Sequence, residues 1–115
     1  IRMAELGYCF QESISALELQ GVTGSYFVEA QGNISLSESI QLYDAFQSVL
    51  QKTFSCINSI AVFLRTAESG FEMCISLHLT TEMTFQFDSD FRIEQEEEKD
   101  YLLTYFVARG DGDGK

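Results

Sequence analysis

The sequence predicts an α+β domain: a two-layer α/β sandwich with two helices packed on one face of a mostly antiparallel mixed sheet. Three observations lead there. Two stretches repeat apolar residues at three- and four-residue steps. The stretches after residue 55 repeat them at every second residue instead. The chain of 115 residues is 45% hydrophobic, with 10 Phe and 5 Tyr, which suits one domain built on one core.

The first helix is expected over 2–20, where Met3, Leu6, Phe10, Ile14 and Leu17 form one apolar stripe. Gly21 ends it, because glycine accepts the left-handed conformation that closes a helix. A short strand follows, with Tyr26, Val28 and Ala30 alternating against Phe27 and Glu29, and Gly32-Asn33 marks a turn. Ser35 and Glu38 have the spacing of a capping box, in which each side chain satisfies an amide of the helix start. They open a second helix whose expected buried face is Leu36, Ile40, Tyr43, Phe46, Val49, Leu50 and Phe54, ending near 53–55.

From there the period becomes two. Ile60, Val62 and Leu64, then Phe71, Met73, Ile75, Leu77 and Leu79, predict a hairpin turning at Glu68-Ser69-Gly70 with one face on the core. Thr84-Phe85-Gln86-Phe87 reads as a short strand or an edge loop. A final hairpin is expected from Phe91 to Glu96 and from Tyr101 to Val107 around the charged turn 97–100, with Tyr101 and Tyr105 offering an exposed patch. The tail 109–115 lacks an apolar anchor and is expected to be mobile. The domain is therefore placed at 1–108. Because the chain opens inside a helical pattern, it reads as a piece of a longer protein.

The net charge of −11, with only seven Lys and Arg and no basic cluster, argues against nucleic acid and against direct contact with an anionic membrane. No run approaches the length of a membrane span. Cys9, Cys56 and Cys74 sit among apolar residues without metal-like spacing, which fits free thiols in a reducing, cytoplasmic setting. His78 is the one histidine, so a zinc site is not expected. It alternates with apolar residues on a strand, as a solvent-face residue does. The acidic group Glu94, Glu96, Glu97, Glu98 and Asp100 lacks the glycine-containing loop of a calcium site and reads as a solvated hairpin.

Beyond composition, "ELGYCFQESISALELQGV", residues 5–22, carries E-S-x-x-x-L-x-x-x-G-V through Glu12, Ser13, Leu17, Gly21 and Val22. "LYDAFQSVLQKTFSCINSIAVFL", residues 42–64, reads as a helix followed by its strand. These stretches resemble the ATP-binding domain of sensor histidine kinases, of the ATPase superfamily shared with gyrase and Hsp90, and more narrowly a divergent clostridial-type group. The resemblance spans about residues 5–108. It implies a C-terminal ATPase-like domain in two-component signalling, cytoplasmic within a membrane-bound protein. The partners it implies are the preceding dimerisation helices of the same chain and a response regulator or other signalling protein.

The resemblance also defines the candidate site. In the family the second helix carries Glu-x-x-x-Asn, the Glu positioning water and the Asn holding the magnesium ion that bridges the ATP phosphates; one turn of helix puts both on one face. Those positions fall on Asp44 and Ser48. The next family motif, Asp-x-Gly-x-Gly, should follow the central strand, where this chain reads "ISLHLTTEMTF" with neither Asp nor glycine, and no length is left for the glycine-rich ATP lid. Asp111-Gly112-Asp113-Gly114 has the motif's letters but lies past the last strand. The expectation is a domain without ATP, magnesium or any other cofactor, degenerate at Asp44 and Ser48, inactive alone and serving as a regulatory or docking module. The alternative is a free-standing acidic protein-interaction domain of an unrelated α+β fold.

Overall fold

A computed structural model describes residues 2–29, 32–87 and 90–110. Seven elements follow one another: α1 (Met3–Glu18), β1 (Thr23–Val28), α2 (Leu36–Thr53), β2 (Ile57–Ala67), β3 (Gly70–Leu79), β4 (Phe91–Glu97) and β5 (Asp100–Ala108). The strands form one sheet in the order β1-β2-β3-β5-β4. β1 runs parallel to β2, and every other pairing is antiparallel. The parallel pair follows from α2, which crosses over between its two strands.

Both helices cover one face. Met3, Leu6, Phe10, Ile14 and Leu17 of α1 meet Ile60, Val62, Leu64, Met73, Ile75 and Leu103 of the sheet in one core. Phe10 organises the helix layer, with its ring edge-on to Phe46 at 4.7 Å and tilted against Tyr26 at 5.4 Å. Gly21 (φ +86°) and Gly32 (φ +87°) adopt the left-handed conformation at the two turns expected of them. Ser35 and Glu38 form the capping box: the Glu38 N–H donates to Ser35 Oγ and the Ser35 N–H to Glu38 Oε1, both at 3.0 Å.

The structure revises four expectations. Leu36, Ile40 and Phe54 are 64%, 49% and 67% exposed, and the buried side of α2 is Glu38, Ser39, Leu42, Ala45, Phe46, Val49, Leu50 and Thr53. Tyr101 is buried, not part of an exposed patch, and its hydroxyl accepts from the Met83 N–H at 2.8 Å. Tyr105 is half-buried against Phe91. Cys9 is exposed. Arg109 and Gly110, expected to begin the mobile tail, are held: the Arg109 N–H donates to the Ser69 carbonyl at 2.9 Å and the Gly110 N–H to Glu38 Oε2 at 2.7 Å. The rest of that tail, residues 111–115 with the Asp-Gly repeat, lies outside the described residues, as does Ala30 of the first strand pattern.

Residues 80–87 form no strand. They run as a loop whose Met83, Phe85 and Phe87 pack on the core's border. Among the described residues the opposite face of the sheet carries no helix; there Phe27 stacks on Phe63 at 5.0 Å and Arg65 Nε donates to Glu72 at 2.7 Å.

Candidate functional site

α2 sets Asp44 and Ser48 one turn apart, as their spacing requires. At 100° per residue, Asp44 stands about 170° from the middle of the buried stripe, and it is exposed. Among the described residues its carboxylate makes no hydrogen bond or ion pair. Ser48 is half-buried, and its hydroxyl donates to the Ala45 carbonyl of its own helix at 2.7 Å. That bond uses the hydroxyl's hydrogen and leaves its oxygen as a single neutral ligand, weaker than the amide oxygen the family uses there. The two expected site residues are thus brought onto adjoining turns, with no third ligand beside them. Among the described residues no group of three or more His, Cys, Asp or Glu side chains is placed to hold a metal ion.

The neighbouring turn is committed to packing. Gln47 Nε2 donates to Ser13 Oγ at 3.0 Å, and Ser13 Oγ lies 3.4 Å from the Tyr43 hydroxyl. Ser13, singled out above by its motif, therefore ties α1 to α2.

One turn beyond Ser48 the same row reaches Lys52, which sequence reasoning missed. Its ammonium lies 5.6 Å from the centre of the Phe87 ring. Lys52, Phe85, Phe87, Asp90, Phe91 and Ile93 wall a cavity of about 710 Å³ beside the end of α2. The rings form a continuous series: Phe85 is edge-on to Tyr101 at 5.1 Å and stacked on Phe87 at 5.6 Å, and Phe87 meets Phe91 at 4.6 Å. The alternation of Phe85 and Phe87, together with the 44-48-52 spacing, was the available signal. Asp44 and Ser48 do not line this cavity.

His78 is partly exposed and paired through Nδ1 with Asp100 on the neighbouring strand. Ser59 stands opposite His78 across β2 and β3. A serine, a histidine and an aspartate thus share one row of the open face, but the Ser59 hydroxyl makes no hydrogen bond to the ring among the described residues. Cys56 and Cys74 are free thiols whose pKa values burial pushes up, which is the opposite of nucleophile activation.

A two-layer sheet with two helices on one face, β1 parallel to β2 across a helix, and the remaining strands antiparallel, is the α+β fold of the histidine kinase ATPase domain. One solved structure with this likeness is the catalytic domain of histidine kinase ThkA, in a nucleotide-free form. It aligns with a TM-score of 0.55 over 92% of this chain and 90% of that one, at 6% sequence identity. At that identity the likeness is one of fold, and it removes the unrelated fold of the alternative reading. No protein-family model matches the chain. No curated protein sequence matches it significantly.

Proposed function

We propose that this chain is the ATPase-like domain of a sensor histidine kinase in two-component signalling, and that it has lost nucleotide and metal binding and acts as a docking or regulatory module. The observation that carries this reading is the state of α2 within a histidine kinase catalytic fold. The acid of the expected pair is exposed and, among the described residues, unpartnered, and the hydroxyl donates to its own helix. Two further features support it. The segment after β3, where the family places its glycine motif, is an aromatic loop packed on the core. Among the described residues no group of three or more His, Cys, Asp or Glu side chains forms around Asp44.

On this reading the domain docks on dimerisation helices of its own chain or on a response regulator, from the cytoplasmic side of a membrane-bound protein. Among the described residues no helix is long and apolar enough to cross a membrane, so the membrane span of such a protein would lie elsewhere in its chain. The gene supplies the test of context. Sequence upstream of Ile1 is expected to encode a helical dimerisation segment and membrane spans, and a gene without them sinks the kinase assignment.

A further inference from the structure

The two edges of the sheet are built differently. β4 carries Arg92, Glu94, Glu96 and Glu97, and its register against β5 is interrupted between Gln95 and Glu97. Charges and bulges of this kind keep a sheet edge from pairing with another chain. β1, Thr-Gly-Ser-Tyr-Phe-Val, has no charge, no proline and an unbroken register from Thr23–Ser59 to Val28–Leu64. It is the last strand of the sheet on its side. The Glu29 N–H donates to the Leu64 carbonyl at 2.8 Å. Successive residues of a strand direct their N–H and C=O to opposite sides. Gly24, Tyr26 and Val28 therefore direct theirs away from β2, and no described residue meets them.

A groove of about 570 Å³ lies beside that edge, between β1 and α1, walled chiefly by Met3, Gly7, Tyr8, Tyr26 and Val28, with Arg2, among the described residues, as the one charged side chain on its wall. Gly7 leaves room for its floor, since a Cβ there would stand 3.0 Å from the Tyr26 hydroxyl. That hydroxyl is buried without a hydrogen-bond partner among the described residues. Three of the large apolar side chains left exposed bracket the same edge. Tyr8 (69% exposed) and Val28 (38%) lie on the groove side, and Phe27 (50%) lies on the open face.

We propose that the outer edge of β1 receives an extended segment of a partner protein as a sixth strand, with alternate apolar side chains in the groove and lysine or arginine side chains between them over Phe27. Main-chain donors and acceptors at period two, next to pockets at period two, are the requirements of strand addition. Charge selects the occupant. The chain carries −11 and β1 is followed directly by Glu29, so a basic segment is drawn to it, and a cation over the Phe27 ring gains further attraction. A second copy of β1 has no cation to offer and brings another −11. This inference deepens the docking reading above and rests on it only for the existence of a partner. Since β1 and the Asp44 row share no residue, a nucleotide titration tests the one and a peptide titration the other.

The test selects a displayed library of random decapeptides on the full chain, then titrates the recovered synthetic peptides into isotope-labelled protein. Expected are peptides alternating apolar residues with Lys or Arg, which shift the amides of 23–28 and bind less tightly as salt rises. Val28→Pro removes one outward donor and leaves the ladder to β2 intact, a place where an edge strand tolerates proline. It should weaken binding about tenfold or more. Tyr8→Ala, on a well-exposed wall, should weaken binding several-fold without touching the fold. The proposal is overturned by a library that yields no binder, by binders without two-residue alternation, or by shifts centred on the Lys52 cavity. It is also overturned if the free chain self-associates through β1 and Val28→Pro renders it monomeric.

Discussion

Replacing Glu38 tests how the start of α2 is held. Its side chain is only 6% exposed, and its two oxygens accept the Ser35 N–H at 3.0 Å and the Gly110 N–H at 2.7 Å. Burial pushes the Glu38 pKa up, but those two amides, the Ser35 hydroxyl and the Arg109 charge outweigh it and hold the carboxyl below its ordinary range. Hydrogen bonds to a charged group contribute about 1.5–3 kcal/mol each net of solvent exchange and a lost capping interaction costs about 1 kcal/mol; the two bonds here are part-buried, which puts them at the low end. Glu38→Ala is therefore expected to cost about 2–3 kcal/mol, and Glu38→Gln, which keeps one acceptor, about 1 kcal/mol. Because the folded pKa lies below the unfolded one, this stabilisation is complete above about pH 5 and is lost as pH falls through the folded value. Urea denaturation of wild type and Glu38→Gln at pH 7 and at pH 3 reads the difference. A gap of about 1 kcal/mol at pH 7 that narrows at pH 3 is the expected outcome. A gap that is equal at both pH values, or absent at pH 7, refutes the clip.

Further predictions concern the same framework. Leu42→Ala should cost about 2–5 kcal/mol and Ile40→Ala under about 1 kcal/mol in denaturant titrations, because Leu42 is fully buried and Ile40 half-exposed. Gly70→Ala should cost more than about 3 kcal/mol or abolish folding, since the new Cβ would collide with the Val107 carbonyl and crowd the Ala108 backbone. Tyr101→Phe should cost about 1–2 kcal/mol and raise amide exchange at Met83, whose N–H loses its acceptor. Asp44→Ala should leave the unfolding free energy from urea titration within about 0.5 kcal/mol of wild type, as befits an exposed group without a partner among the described residues.

The helices and both hairpins were legible because their apolar periods switch from 3.6 to 2 near residue 55, and because Gly21, Gly32 and the Ser35–Glu38 pair punctuate them. The face of α2 was not. Leu36, Ile40 and Phe54 also recur at helical spacing, so apolar periodicity merged their stripe with that of Leu42, Phe46 and Val49 about 125° away. Burial of Glu38 in place of Leu36 and Ile40 depends on a partner distant in sequence, the Gly110 N–H, while Ser39 turns its hydroxyl back to the Leu36 carbonyl of its own helix. Tyr101 looked exposed because alternation does not say which face a strand buries; the 80–87 loop, through Met83 and Phe85, decides it. At the candidate site, the one-turn spacing of Asp44 and Ser48 was correct from sequence. The outward direction of Asp44 and the Ala45 partner of Ser48 depend on how α2 is rotated on the sheet, which no local pattern records.

The central claim is that a histidine kinase ATPase fold persists here without its nucleotide chemistry. Titrating ATP with magnesium into isotope-labelled protein, while following backbone amides, tests it most directly. The account predicts no saturable shift at Asp44, Ser48 and their neighbours on α2 up to millimolar nucleotide. Saturable, magnesium-dependent shifts centred on that helix would contradict it.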